Sequence, residues 1–242
     1  MALATPACGH SGPLATAAVE PPARLDVALN SALTVALDGP VDPLSVTARS
    51  VSATRDDGRP LAARVATSAG RVVVELEVDA ALLGAPPPVV VVHLLGLPSP
   101  HAVATLDRRR LGATTRIAFR ASAGLEPRGW TPARLVEVAG RPPRPELALA
   151  AGDALVLVLD GVLDPSTLEP EDCPLFPVEQ GLVLPAPLLP EVRWRCLGER
   201  FELSLGLGGR RGRFQLDLRR FRWRDLSGGI PEPALVTEVV AP

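Results

Sequence analysis

The chain has no lysine, which looks like a coding bias and carries no functional reading, and no tyrosine, which weakens any aromatic platform for sugars. All 25 basic residues are arginine, set against 27 acidic ones, so bulk charge selects neither nucleic acid nor an anionic membrane as partner. Aromatic residues make up 3% of the sequence, too few for the flat platforms on which sugars stack. The only histidines are His10, His93 and His101. No His-x-x-x-His, Cys-x-x-Cys or Gly-x-Ser-x-Gly is present, which leaves zinc chemistry and nucleophile-elbow hydrolysis without residues. Long apolar runs are missing as well. The longest, residues 89–97, is closed off by Pro86, Pro87, Pro88 and Pro98, where about 20 apolar residues would be needed to cross a membrane. The 27 prolines interrupt nearly every stretch that could otherwise form a long helix. The expectation is a protein that is not an enzyme, with no catalytic residue, no cofactor and no metal site.

What the chain does have is a repeat. Pro22-Ala23-Arg24-Leu25 recurs as Pro132-Ala133-Arg134-Leu135. Likewise Ala32-Leu33 through Leu37-Asp38-Gly39 and Asp42-Pro43 recurs as Ala154-Leu155 through Leu159-Asp160-Gly161 and Asp164-Pro165. Each copy has the size of an autonomous domain, and the boundaries read as 21–123 and 130–242, joined by a short linker. The copies are offset by 110 residues at the first element and by 122 at the second, which implies extra residues near Arg141-Pro142-Pro143-Arg144-Pro145 in the second copy. Residues 1–20 read as a leader. Cys8 follows small residues, as in the end of a lipoprotein signal, and is a candidate for lipidation; the alternative is a short disordered leader with an incidental thiol.

Period-2 alternation dominates both copies. Val72, Val74, Leu76 and Val78 alternate with polar or exposed positions, as do Phe201, Leu203, Leu205 and Leu207, and Gly-containing turns separate the runs. His93 lies in one such run and reads as a strand residue. Gly206-Leu207-Gly208-Gly209 lies between two others and reads as a hairpin turn. Many short strands with Gly and Pro turns predict an all-β fold of two tandem immunoglobulin-like β-sandwich domains. In Asp164-Pro165-Ser166-Thr167 the carboxylate is a good N-cap and proline a good first residue, so one helical turn follows the strand. A calcium reading of Asp38 with Asp42, and of Asp160 with Asp164, lacks the dense Asp-x-Asp run such sites use.

An apolar strand ending in Asp-Gly, then Val41-Asp42-Pro43-Leu44-Ser45-Val46 or Leu163-Asp164-Pro165-Ser166-Thr167-Leu168, resembles the SbsA-type bacterial Ig-like domain. Further matches are Val78-Asp79-Ala80-Ala81-Leu82-Leu83 and Arg224-Asp225-Leu226-Ser227-Gly228-Gly229. Copy one departs at the second of these steps, where Leu106-Asp107-Arg108-Arg109-Arg110 stands instead. The resemblance implies a non-catalytic structural or adhesive module, extracytoplasmic and on the cell surface, lipid-anchored or secreted. Its partner would be a protein or a cell-surface polysaccharide, without nucleic acid, and any membrane contact would run through a lipid anchor.

Two features stand outside that pattern. Arg210, Arg211, Arg213, Arg220, Arg222 and Arg224, with Trp223, form a candidate partner surface for an anionic glycan or an acidic protein. The competing reading is a solvated strand face whose arginines pair with Asp217, Asp225 and Glu202 or stack on Trp223. Phe214, Leu216 and Leu218 share a face that Phe221 and Trp223 continue only if a residue is inserted near Arg219 and Arg220, the mark of a β-bulge. Cys173 and Cys196 fall on what should be consecutive strands and read either as a disulfide or as two buried thiols.

Overall fold

Side chains that alternate between apolar and polar put one face of each strand into a core and leave the other to solvent. The structure is a computed structural model and describes residues 15–20, 26–122, 124–127, 132–143, 148–150, 152–232 and 235–241. The strands are β1 (Thr16–Glu20), β2 (Asp26–Val27), β3 (Leu33–Leu37), β4 (Val51–Arg55), β5 (Pro60–Leu61), β6 (Ala63–Ser68), β7 (Arg71–Asp79), β8 (Val89–Leu94) and β9 (Thr115–Ala121). They are followed by β10 (Arg134–Val138), β11 (Ala148–Leu149), β12 (Ala154–Asp160), β13 (Phe176–Glu179), β14 (Leu182–Val183), β15 (Glu191–Leu197), β16 (Arg200–Gly206), β17 (Gly212–Asp217) and β18 (Val236–Ala241). Among the described residues, helical structure is one four-residue helix, α1 (Ala80–Leu83), and short 3-10 turns. The fold is all-β, with its strands gathered into sandwich-like sheets.

Two compact units share the chain. The first holds the described residues up to 27, then 32–75 and 88–120; the second holds 28–31, 76–87 and the described residues from 121 on. In the first unit β1-β3-β7 form a sheet that β6 extends beyond β7, and β2-β9-β8-β4-β5 form another. In the second, β10-β12-β16-β15 and β11-β18-β17-β13-β14 repeat that order strand for strand. Residues Glu77–Asp79 of β7, counted with the second unit, pair there with Arg195–Leu197 of β15.

The predicted alternation holds. Val72, Val74, Leu76 and Val78 of β7 are buried, as are Phe201, Leu203 and Leu205 of β16, and Leu207 just beyond it. Val92, Leu94 and Phe119 of the first unit's other sheet are buried too, and in the second unit Leu155, Leu157 and Leu159 line up with β16 in register. Each such side chain removed from water contributes about 1.5–3 kcal/mol, and this supplies the core that few aromatics would otherwise provide.

Three expectations change. Residues 16–20, read as leader, are a strand: β1 pairs with β3, Thr16 opposite Leu37, as β10 pairs with β12, Leu135 opposite Leu159. The first strands therefore correspond at nearly the spacing of the Asp-Pro turns, and the uneven offset implied by Pro-Ala-Arg-Leu disappears; Pro22 and its three successors lie outside the described residues, as does Cys8. The bulge near Arg219 is instead a 3-10 turn at Leu218–Arg220, capped by Asp217, whose side chain accepts from Arg219 N. This turn advances the phase by the expected one residue, so Leu218, Phe221 and Trp223 are all buried.

Cys173 and Cys196 are both buried, with no bond between them, the second of the two readings. Cys173 closes the 3-10 turn at Pro170–Asp172 and leads into β13, while Cys196 lies on β15 in the other sheet of the unit, so the two are not ladder neighbours. Cys196 Sγ donates to the Gly198 carbonyl at 3.3 Å. Burial, with Asp172 nearby, pushes the Cys173 thiol up to about 12. Without reductant, peptides carrying Cys173 and Cys196 should take up iodoacetamide only after unfolding; resistance of either one after unfolding would show that a disulfide exists.

Gly161 shows how tightly the strand ends are closed. It sits at φ +111°, and a Cβ there would lie 2.7 Å from Ala133 Cα. Gly161→Ala combines left-handed strain with a backbone clash, so a loss of about 2–3 kcal/mol is expected in urea unfolding. An unchanged midpoint would contradict that packing.

Candidate functional site

The residues with the most constrained polar geometry cluster at one corner of each unit. A strand ends in Asp-Gly, the chain crosses to a 3-10 turn, and an Asp caps it. In the first unit Asp42 Oδ1 accepts from Leu44 N at 2.9 Å, and in the second Asp164 Oδ1 accepts from Ser166 N at 2.9 Å. The hydroxyl that follows behaves alike: Ser45 Oγ donates to Asp42 O at 2.8 Å and Thr167 Oγ1 to Asp164 O at 2.8 Å. Each hydroxyl oxygen then accepts a backbone amide from a second segment, Ala104 N at 3.0 Å and Arg224 N at 3.0 Å. Asp42 N and Asp164 N return a bond to the same two residues' carbonyls, each at 2.9 Å. The helical turn predicted from Asp-Pro is present in both units, and its carboxylate is an N-cap.

The second segment of each corner is a five-residue turn. Asp225 N donates to Gly229 O at 3.0 Å and Gly228 N to Asp225 O at 2.9 Å; Thr105 N donates to Arg109 O at 2.9 Å and Arg108 N to Thr105 O at 2.8 Å. The step that looked lost in copy one is therefore retained in its backbone, while its carboxylate has moved. In the second unit Asp225, 5% exposed, fills both oxygens: Oδ1 accepts from Ser227 N (2.9 Å), Ser227 Oγ (2.6 Å) and Gly229 N (2.8 Å), and Oδ2 from Ala133 N (3.1 Å). In the first unit Thr105 takes that place and donates to Asp107, whose other oxygen accepts Arg109 Nε at 2.8 Å. Arg109 reaches back to Asp38, Nη1 to Oδ2 at 3.4 Å and Nη2 to the carbonyl at 3.3 Å. Its guanidinium lies where a Cβ on Gly39 would meet it at 2.7 Å, as a Cβ on Gly161 would meet Ala133.

Both corners border open clefts. In the second unit a cleft of about 310 Å³ is lined by Ala133, Asp160, Gly161, Glu199, Asp225 and Ser227 among others. Asp225 offers it no acceptor beyond those already used. In the first unit a cleft of about 400 Å³ is lined by Asp42, Leu44, His101, Ala102, Arg108 and Arg110 among others. Among the described residues no three metal-ligating side chains converge.

The arginine stretch does not form one surface. Arg210, Arg211 and Arg213 lie at the start of β17, and the six residues of that strand separate them by about 20 Å from Arg219 onward. Arg213 approaches Glu238 at 3.7 Å, and Arg210 and Arg211 make no ion pair among the described residues. At the other end Asp217, 3% exposed, binds Arg219 through both oxygens, at 2.8 and 3.0 Å, and Arg220 at 3.4 Å. The guanidinium of Arg220 stacks over Phe176, its centroid 4.5 Å away, and not over Trp223. Trp223 is 1% exposed and packs edge-on against Phe221, so it is a core residue and leaves the proposed surface. Arg222 and Arg224 are exposed, but their backbone amides are tied to Asp172 O and Thr167 Oγ1. His93 is the expected strand residue: it lies on β8, hydrogen-bonded to Thr54 Oγ1 at 2.9 Å, and burial with Arg116 nearby lowers its pKa.

Sequence reasoning did not single out Asn30. Its amide donates to Glu126 O at 2.9 Å and accepts from Glu126 N at 3.0 Å, which a lone Asn in an apolar stretch does not announce.

No protein-family model and no curated protein matches the chain. Among solved structures it is similar to native alpha-2-macroglobulin from Escherichia coli, in the stretch spanning domains MG0-NIE-MG1. The TM-score is 0.38 and the identity 11%, over 96% of this chain and 72% of that one.

The buried carboxylates tie stability to pH. At Asp217 the Arg219 bond, and at Asp225 the Ser227, Gly229 and Ala133 bonds working against burial, hold the carboxyl below its usual range. A depressed carboxyl contributes stability above its unfolded pKa of about 4 and loses it as pH falls through the folded value. The second unit should therefore weaken in acid below about pH 4. Asp225→Asn, which turns one acceptor into a donor facing amides, should cost about 1–3 kcal/mol at neutral pH and flatten that acid limb; urea midpoints across pH measure both, and an unaltered limb would show that Asp225 is not the group responsible.

Proposed function

We propose that this chain is a non-catalytic structural or adhesive module of a bacterial extracytoplasmic protein, built from two copies of an Ig-like unit of the SbsA type. The observation that carries the reading is the use to which polar groups are put. Asp107, Asp217 and Asp225 have both carboxylate oxygens taken by backbone amides, hydroxyls or arginines of the same unit, and Asp42 and Asp164 each spend one oxygen capping a turn. Polar groups used in this way support a structural reading, since a reacting group needs a side chain free to act at a cleft. The repeated strand order supports the two-copy part of the reading.

No helix among the described residues is long and apolar enough to cross a membrane; in this reading a lipid on Cys8 would provide the attachment. The partner would be a protein or a cell-surface polysaccharide. A second reading, an acidic protein or anionic glycan held by the arginines of the second unit, keeps one observation in its favour: Arg210 and Arg211 stand exposed at the tip between β16 and β17.

Fractionation of cells that make the native protein, with mass spectrometry of the peptide containing Cys8, tests the assignment. The chain is expected in the envelope or the medium, and recovery from the cytosol would overturn it.

A further inference from the structure

The corner cleft of the first unit carries residues that the turn beside it does not need. Arg108 adopts φ +65°, the left-handed region, where the corresponding residue of the second unit is Gly228 at φ +84°. Both donate their amide to the first residue of the turn, so glycine closes it equally well. A side chain held in that conformation points from backbone strain to a role. Two residues on, Arg110 occupies the place of Ile230. Leu44, on the 3-10 turn across the cleft, is 88% exposed where the second unit has Ser166 with the same amide-to-Asp bond.

The charge of this cleft is not balanced from within. Arg108 and Arg110 make no ion pair among the described residues, and His101 stands beside them. Asp107, the nearest acid in sequence, is held by Thr105 and Arg109, and Asp42, the acid that lines the cleft, caps Leu44 N and offsets one of the two arginines, which leaves one positive charge in excess. The cleft thus carries a net positive charge from Arg108 and Arg110 and an exposed apolar group at Leu44.

We propose that this cleft is a docking site for an acidic peptide segment of a partner protein that carries an apolar side chain, its carboxylates on Arg108 and Arg110 and its apolar group against Leu44. Charge complementarity selects an anionic occupant, and the exposed leucine selects a peptide over a sulfated sugar, which has no apolar group to bury. The inference does not depend on the compartment or role argued above.

The test is fluorescence anisotropy with a labelled hexapeptide of alternating glutamate and leucine, against its glutamine counterpart and dextran sulfate. Saturable, salt-weakened binding of the glutamate peptide alone is expected. Arg108→Gly and Arg110→Gln should each weaken it about tenfold, as loss of one charge-assisted hydrogen bond does. Leu44→Ser should weaken it too. Because glycine suits the left-handed turn, Arg108→Gly should melt at the same temperature or higher, which separates lost binding from lost fold. No saturable binding, equal binding of the glutamine peptide, tighter binding of dextran sulfate than of the peptide, or binding untouched by the three substitutions would each overturn the proposal.

Discussion

Backbone amides left without a strand partner at the corners of each unit need acceptors, most of all around Asp225, where a buried N–H without one costs as much as a lost hydrogen bond. The carboxylates of Asp42, Asp164 and Asp225 are those acceptors, and one of them, Asp225, serves two amides of its own turn and a third from Ala133. Strand ends, the 3-10 turn and the entry of β10 are all held through this cluster. The strand cores are made of interchangeable aliphatic groups, whereas the corners depend on particular atoms in particular places.

The two units meet the same demand differently. In the second the acid stands at the first position of the turn and faces a backbone amide; in the first the acid stands two residues later and a guanidinium reaches Asp38 instead. The backbone bonds that define the turn are unchanged. A fold can therefore keep its geometry while its charge is rearranged, and in the rearranged copy Arg108 and Arg110 stand at this corner without an ion pair among the described residues.

Much of this was legible in the sequence, and the physical reason is periodicity. Strands β7 and β16 and the Asp-Pro turns follow from spacing that survives any change of side chain within its class, whereas the turn after Gly206, read as a hairpin, instead carries the chain from β16 to β17 in the other sheet of the unit. Trp223 was harder: the phase shift before it was visible, but a 3-10 turn capped by Asp217 carries Trp223 into the core, and its burial contradicts its place on a partner surface. Pro22-Ala23-Arg24-Leu25 misled in the other direction, since four matching letters suggested a register that the ladder between β1 and β3 does not follow. At Leu106 to Arg110 the letters differed while the hydrogen bonds agreed, and hydrogen bonds between backbone atoms leave little trace in side-chain identity.

The displaced carboxylate makes positions in these turns interdependent. Changing Thr105 to an acid while Asp107 remains would set two carboxylates against each other within one turn, and removing the acid from Asp225 before one stands at Ser227 would leave three amides bare. Either route between the two arrangements crosses an intermediate worse than both ends. Substitutions here are epistatic, so a survey of single changes would rank each position as intolerant although the paired change is accommodated, and the true tolerance of the corner becomes visible only in double variants.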